Sequence, residues 1–100
     1  MSDGPTVTVH RNEENHHYEA TLDGAVVGYI RYRHRPGQTV LIHTETDHAY
    51  EGQGIGGSLA KAALDDVRAR GEKVVVLCPF ITSYLSRHPE YADLVAPADS

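Results

Sequence analysis

The spacing of the apolar residues changes once along this 100-residue chain, close to residue 54. Before that point, four segments alternate apolar with polar side chains, which is typical of half-buried strands: residues 6–10, 17–22, 25–33 and 39–46. Asp23-Gly24 and Pro36-Gly37 separate successive segments, and the first pair favours a tight hairpin turn. On the third segment, alternation predicts that Val26, Gly28 and Ile30 share one face. The first half of the chain is therefore predicted to be an antiparallel meander.

The second half of the chain has a helical period. Apolar side chains recur about every 3.6 residues over residues 54–70, which predicts an amphipathic helix that Gly71 ends. Residues 73–78 are a continuous apolar run, typical of a strand buried on both faces, and residues 80–87 favour a short helix. A right-handed crossover then makes the fifth strand parallel to the fourth. The predicted fold class is α+β: a mixed, mainly antiparallel five-stranded sheet, with one main helix after strand 4 and a short helix after strand 5.

Composition excludes several classes of function. The formal net charge of −5 argues against broad nucleic-acid binding, which needs a basic face. A single cysteine fits a reducing compartment, and neither a signal peptide nor an apolar run of about 20 residues is recognised. The histidines lack metal-ligand spacing, so no metal site is predicted. We expect one cytoplasmic domain over residues 1–100, with its core at about 6–95, no membrane association and no predicted oligomeric state.

A glycine cluster over residues 51–58 stands between the fourth strand and the helix. Such a turn lets backbone N–H groups converge at a helix N-terminus, where the helix dipole favours phosphate. A glycine-rich turn without a ligand is the alternative reading. The residues predicted to hold an anion are Gln53, Gly54, Ile55, Gly56, Gly57 and Ser58.

Three motifs in order resemble the GCN5-related N-acetyltransferases, and more narrowly their small stand-alone YjdJ-type subfamily. The motifs are His43-Thr44-Glu45, Glu51-Gly52-Gln53-Gly54-Ile55-Gly56, and Cys78-Pro79-Phe80 followed by Arg87-His88-Pro89-Glu90-Tyr91. Glu51 departs from the family signature, which has Gln or Arg there. The resemblance implies acetyl-coenzyme A as cofactor and an unidentified amine as acceptor. A coenzyme A or acyl-coenzyme A binding module with little transferase activity is the alternative.

The resemblance also implies that the cofactor's arm passes between strands 4 and 5, near candidate proton acceptors. Strict alternation places Leu41, His43 and Glu45 on one face of strand 4. His43 or Glu45 is then the candidate general base, and histidine is the better matched to proton transfer near neutral pH. The alternative is that this face is simply solvated. Thr44 is expected to contact the cofactor.

The remaining candidates follow strand 5. Cys78 is either an acetyl-accepting nucleophile, a proton donor to the leaving thiolate, or a small buried hydrophobic residue. Because strand 5 is the most apolar segment, which favours a neutral thiol, we expect direct transfer. Tyr84 is a second candidate proton donor, or a packing residue. Arg87 and His88 either contact the cofactor's phosphates or stabilise the end of the short helix.

A basic strip lies on strand 3 and consists of Arg31, Arg33 and Arg35. Three interpretations fit it: a solvated face, a guard against aggregation on an edge strand, or a site for an acidic partner. The sequence favours the first two.

Overall fold

A computed structural model of the protein describes residues 7–50, 52 and 54–96. The elements are β1 (Thr8–Asn12), β2 (His17–Leu22), β3 (Ala25–Arg35), β4 (Gln38–Thr46), α1 (Ile55–Ala69), β5 (Lys73–Val76) and α2 (Pro79–Arg87), with short 3-10 helices at His48–Tyr50 and Pro89–Leu94. The five-stranded sheet has the order β1-β2-β3-β4-β5. Pairing is antiparallel except between β4 and β5, which are parallel. The predicted α+β class and element order are confirmed.

Backbone conformation at two turns explains why their residues predicted them. Asp23 and Gly24 have φ values of 52° and 84°, as a tight hairpin between β2 and β3 requires. Gly71 follows α1 with φ of 70°, the left-handed conformation that commonly ends a helix.

The C-terminal end of β5 and the burial of its side chains differ from the prediction. The strand ends at Val76 rather than at residue 78, and Leu77 is exposed. Val74 is buried, but Val75 and Val76 are only half-buried. The expectation of burial on both faces is therefore wrong. In the described part of the chain, the helices pack against one face of the sheet and the hydrophobic core forms there.

A first register shift changes which β3 residues face the core. Ala20 pairs with Gly28 and Thr21 with Val26, so Val27 is an extra residue on β3. Val27 is buried and Val26 is exposed. The prediction that Val26 shares the core face is wrong, because the bulge interrupts the alternation.

A second shift changes the orientation of β4. Arg31 pairs with His43 and Tyr32 with Leu41, which leaves Ile42 as the extra residue. Leu41 is fully buried on the α1 side, whereas His43 and Glu45 lie on the opposite face. The prediction that all three share one face is wrong for the same physical reason.

Close packing of α1 on the sheet depends on Gly28. A Cβ atom there would lie 3.0 Å from the Glu45 carbonyl oxygen, 3.0 Å from Ile55 Cγ2 and 3.2 Å from Leu59 Cδ1. The absence of a side chain therefore lets the first turns of α1 rest on β3 and β4. This contact fixes the start of the helix beside the end of β4.

Asp66 of α1 ties the helix to the first strands. Tyr18 Oη donates to Asp66 Oδ2 over 2.7 Å, and Arg11 Nη1 donates to the same oxygen over 3.2 Å. Arg70 Nε, one turn along the helix, donates over 2.8 Å. Burial alone would raise the pKa of the Asp66 carboxyl, but these hydrogen bonds outweigh burial and hold it below its usual range.

No helix in the described ranges is both long and apolar enough to cross a membrane.

Candidate active site

The strands β4 and β5 separate in the middle of β4. Their parallel pairing runs from Gln38 with Lys73 to Leu41 with Val76. One further backbone bond joins Leu77 N to the Leu41 carbonyl oxygen over 2.9 Å. Beyond this bond β4 continues to Thr46, whereas the segment that follows β5 enters α2 at Pro79. Residues 43–46 therefore still pair with β3 on one side but face a gap on the side of β5.

A cavity of about 290 Å³ opens beside this gap on the α1 side of the sheet. It is lined by Thr44, Thr46, Tyr50, Gly52, Gly54, Ile55, Gly56, Gly57 and Phe80. The sequence had singled out Thr44 and the stretch 54–57 of this set. It missed Thr46 and Tyr50, which follow the same strand, and Phe80, for which the signal is its place directly after Pro79.

The start of α1 forms the wall of the cavity that suits an anion. Gly54 precedes the helix with φ of 77°, in the left-handed conformation, and as a glycine it has no side chain to cap the helix. The first N–H groups of a helix have no intrahelical acceptor, and the helix dipole adds partial positive charge there. The backbone at Ile55, Gly56 and Gly57 is thus available to an anionic group at the cavity mouth.

The sequence also predicts that Ser58 and Gln53 hold the anion. Ser58 uses its backbone N–H within the helix, donating to the Gly54 carbonyl oxygen over 3.0 Å. It lines a different depression, with Lys61 and Asp65. Gln53 lies outside the described residues. So does Glu51, the residue that differs from the family signature.

Gly56 is the glycine whose bare Cα matters most to the shape of this cavity. A Cβ atom at Gly56 would lie 2.7 Å from Phe80 Cζ, inside van der Waals contact. At Gly57 a Cβ atom would meet nothing within 4 Å. The position of Phe80, and with it one wall of the cavity, therefore depends on Gly56 being glycine.

Thr44 and Cys78 meet across the gap. Thr44 Oγ1 lies 3.2 Å from Cys78 Sγ, and either atom can donate the hydrogen bond. Cys78 is buried and immediately precedes α2. The structure thus brings a predicted cofactor contact and a predicted proton donor together at the point where β4 and β5 diverge.

His43 and Glu45 lie on the other face of β4 from the cavity. His43 Nε2 is 3.2 Å from Glu45 Oε1, and the two side chains are 57% and 55% exposed. The face that carries them, opposite α1, is called the open face here. Since residues 43–46 have no partner on β5, this pair lies beside the gap, on the open face.

The α2 candidates are not brought to the cavity. Tyr84 lies on the buried side of α2, stacks on His88 with ring centroids 3.9 Å apart, and lies near Tyr91. Burial raises the pKa of the Tyr84 phenol. Arg87 donates to Ser83 Oγ over 3.1 Å. Arg87 and His88 stand at the far end of α2, about 12 Å along its axis from Pro79.

Comparison with known sequences assigns the chain to one family. The sequence pattern of the GCN5-related N-acetyl-transferase family matches residues 17–94. Protein NATD1 of Mus musculus is 29% identical over 101 residues, covering 97% of this chain and 92% of that protein. Protein NATD1 of Homo sapiens is 41% identical over 59 residues, covering 57% of this chain and 52% of that protein.

Solved structures share the fold. A GCN5-like protein from Staphylococcus aureus has a TM-score of 0.68 at 21% identity, covering 92% of this chain and 90% of its own. The ribosomal-protein-S18-alanine N-acetyltransferase from Escherichia coli has a TM-score of 0.57 at 20% identity, covering 60% of this chain and 39% of its own. At these identities the likeness concerns the fold, and the YjdJ-type subfamily stays a prediction.

Proposed function

We propose, from the premise that this chain belongs to the GCN5-related N-acetyl-transferase family, that it transfers an acetyl group from acetyl-coenzyme A to an amine. One observation carries the proposal: the gap between β4 and β5 has the glycine-walled cavity on one side and the His43–Glu45 pair on the other. Cofactor and acceptor can therefore approach the same opening from opposite faces of the sheet.

The residues around the cavity fit the cofactor. Backbone N–H groups at Ile55, Gly56 and Gly57 suit the pyrophosphate, because they supply partial positive charge without a side chain. Thr44 and Thr46, on the cavity side of β4, line the way from the helix to the gap. When bound, acetyl-coenzyme A supplies an acyl group activated as a thioester.

Two groups of this chain handle protons in the proposed reaction. The amine must lose a proton before its nitrogen attacks, and Glu45 accepts it directly or through the hydrogen-bonded His43. The carbon–nitrogen bond then forms as the carbon–sulfur bond breaks, and the leaving thiolate needs a proton. Cys78, held against Thr44 at the gap, is placed to donate it. Its burial restricts access of a thioester carbon to Sγ, which supports direct transfer over an acetyl-cysteine route.

The experiment measures release of coenzyme A thiol from acetyl-coenzyme A across a panel of amines. Glu45→Gln and His43→Ala should each lower kcat/KM by roughly 100-fold, the usual scale of general-base catalysis. Cys78→Ala should retain most of the activity, since water can protonate the thiolate. Acetylation of Cys78 that an added amine removes at the turnover rate would contradict direct transfer.

A coenzyme A binding module is the second candidate, favoured by the exposure of the His43–Glu45 pair. Proton transfer by these groups needs an acceptor held beside them, and in the described ranges no helix covers the open face. Binding of coenzyme A without thiol release on any amine would favour this candidate. Thiol release that depends on an amine would exclude it.

A further inference from the structure

Side chains on the open face form two rows of opposite character across β2, β3 and β4. The strand registers give a first row of His17, Arg31 and His43, and a second row of Glu19, Tyr29 and Glu45. Adjacent rows on one face of a sheet are two residues apart along each strand, or about 7 Å. The face therefore presents a row of basic residues and, at a fixed separation, an acidic row that carries the carboxylates of Glu19 and Glu45.

The carboxylates of the acidic row already have partners, which are histidines together with Asn12, whose side-chain amide donates to Glu19. Glu19 lies 3.3 Å from His10 Nε2 and 3.6 Å from His17 Nδ1. Glu45 lies 3.2 Å from His43 Nε2. Glu19 is buried, whereas the Glu45 carboxylate is exposed and can exchange its histidine for an ammonium group.

Arg31 and Arg33, like Arg35 further along β3, are arginines of this face for which the described residues supply no carboxylate. Within residues 7–50, 52 and 54–96, no hydrogen bond or ion pair engages either guanidinium. Arg31 stands directly between two imidazoles, an arrangement that is unfavourable in a sheet once they are protonated. β3 is the central strand, so the interpretation of these arginines as an edge-strand guard is wrong. An anion from outside the chain would relieve the repulsion.

A cavity of about 430 Å³ lies at these arginines. Its lining includes Arg31, Arg33, His16, His17 and Ile42. Ile42 is the bulge residue of β4, next to His43 and directly after the last residue of β4 that pairs with β5. The cationic cavity thus adjoins the gap that the proposed reaction uses, on the face opposite the glycine-walled cavity.

We propose that the open face binds the acetyl acceptor, and that this acceptor is a small amine that also carries a carboxylate or phosphate about 7 Å from its nitrogen. Arg31, one row from Glu45, holds the anionic group, Arg33 lines the same cavity one row further on, and the amine lies at Glu45. The proposal rests on the proposed acetyl transfer. A net charge of −5 repels anions in general, so the binding of an anionic acceptor must come from this local arrangement.

The kinetic experiment compares matched amines that differ in the anion alone. δ-Aminovalerate is paired with n-pentylamine, and 3-aminopropyl phosphate with 3-aminopropanol, because both anionic members can place the anion about one row spacing from the nitrogen. The anionic member of at least one pair should have the higher kcat/KM, and the pair with the larger preference identifies carboxylate or phosphate. Arg31→Met should lower that preference by roughly 10- to 100-fold, through KM, as expected for loss of a charge-assisted hydrogen bond. Arg35→Met, which removes the same charge from the same face outside the cavity lining, should leave it unchanged.

A binding measurement separates this proposal from the proposed transfer. δ-Aminovalerate and 3-aminopropyl phosphate are titrated into the protein without acetyl-coenzyme A, and the side-chain Nε resonances of the arginines are followed by NMR. Saturable shifts at Arg31 and Arg33 support the site even if thiol is never released, provided that the Arg33 shift is lost in Arg31→Met and both shifts are kept in Arg35→Met. No shift at Arg31 with either compound, or equal kcat/KM within both matched pairs, overturns it.

Discussion

Replacing Gly56 by alanine tests the shape of the proposed cofactor cavity. The new Cβ atom would lie 2.7, 3.1 and 3.3 Å from three atoms of the Phe80 ring, so the ring must move. Gly57→Ala is the matched control, because its Cβ atom meets nothing within 4 Å and both residues belong to the first turn of α1. Each substitution adds the same methyl group to the same helix.

The magnitude follows from two opposing effects. Glycine to alanine inside a helix stabilises by up to about 1 kcal/mol, because the unfolded chain loses freedom and helix propensity rises. Phe80 is 39% exposed, so its ring can move partly into solvent, and displacing it should cost about 1 kcal/mol, the low end of the range for overpacked sites. Gly57→Ala should therefore be neutral or stabilising, and Gly56→Ala should have a free energy of unfolding about 1 kcal/mol below that of Gly57→Ala.

Urea unfolding of the two variants, in the wild-type and the Phe80→Ala backgrounds, measures this difference. Without the ring the two alanine variants should agree within about 0.5 kcal/mol. The Kd for coenzyme A, measured by titration calorimetry, should rise for Gly56→Ala, because the displaced ring is a wall of the cavity. Equal unfolding free energies of the two variants in the wild-type background would refute the reasoning.

Two further predictions concern the loop and the sheet. Gly54→Val should weaken coenzyme A binding about tenfold or more in calorimetry, because φ of 77° strains a β-branched residue, whereas Gly54→Asn, which tolerates that conformation, should bind nearly as wild type; equal binding by all three proteins would remove the loop assignment. Asp66→Asn should lower the free energy of unfolding at pH 7 by about 1–3 kcal/mol, since its carboxylate accepts three hydrogen bonds. The folded protein holds the pKa of the Asp66 carboxyl low, so this contribution is present above about pH 4 and is lost as the pH falls through the folded-state pKa. Urea unfolding of wild type and Asp66→Asn at pH 7 and at pH 2 checks this pH dependence. A constant difference between the two proteins down to pH 2 would contradict it.

The fold could be predicted because its signals are local. Alternating segments, a change to helical period, and turn residues such as Asp23-Gly24 and Gly71 each determine their own element. The parallel pairing of β4 with β5 then follows from the handedness of the crossover. The contact between Gly28 and α1 could not be predicted, because it depends on residues that meet only in three dimensions.

The candidate site was predicted less completely, and the β-bulges are the main reason. An extra residue such as Ile42 leaves no mark on the hydrophobic pattern, yet it moves His43 and Glu45 to the face opposite Leu41. The pairing of Arg31 with two histidines likewise depends on strand register, which single segments do not encode. Phe80 reaches the cavity only through the approach of α2 to α1.

Titration of the protein with coenzyme A, followed through backbone amide NMR shifts, tests the central claim most directly. The claim is that the cofactor binds in the cavity between α1 and β4, with its arm in the gap that opens after Leu41. The account predicts saturable shifts at residues 43–46, 54–57, 77, 78 and 80, and Gly54→Val should weaken them together. Absence of shifts, or shifts confined to Arg87 and His88 at the far end of α2, would contradict it.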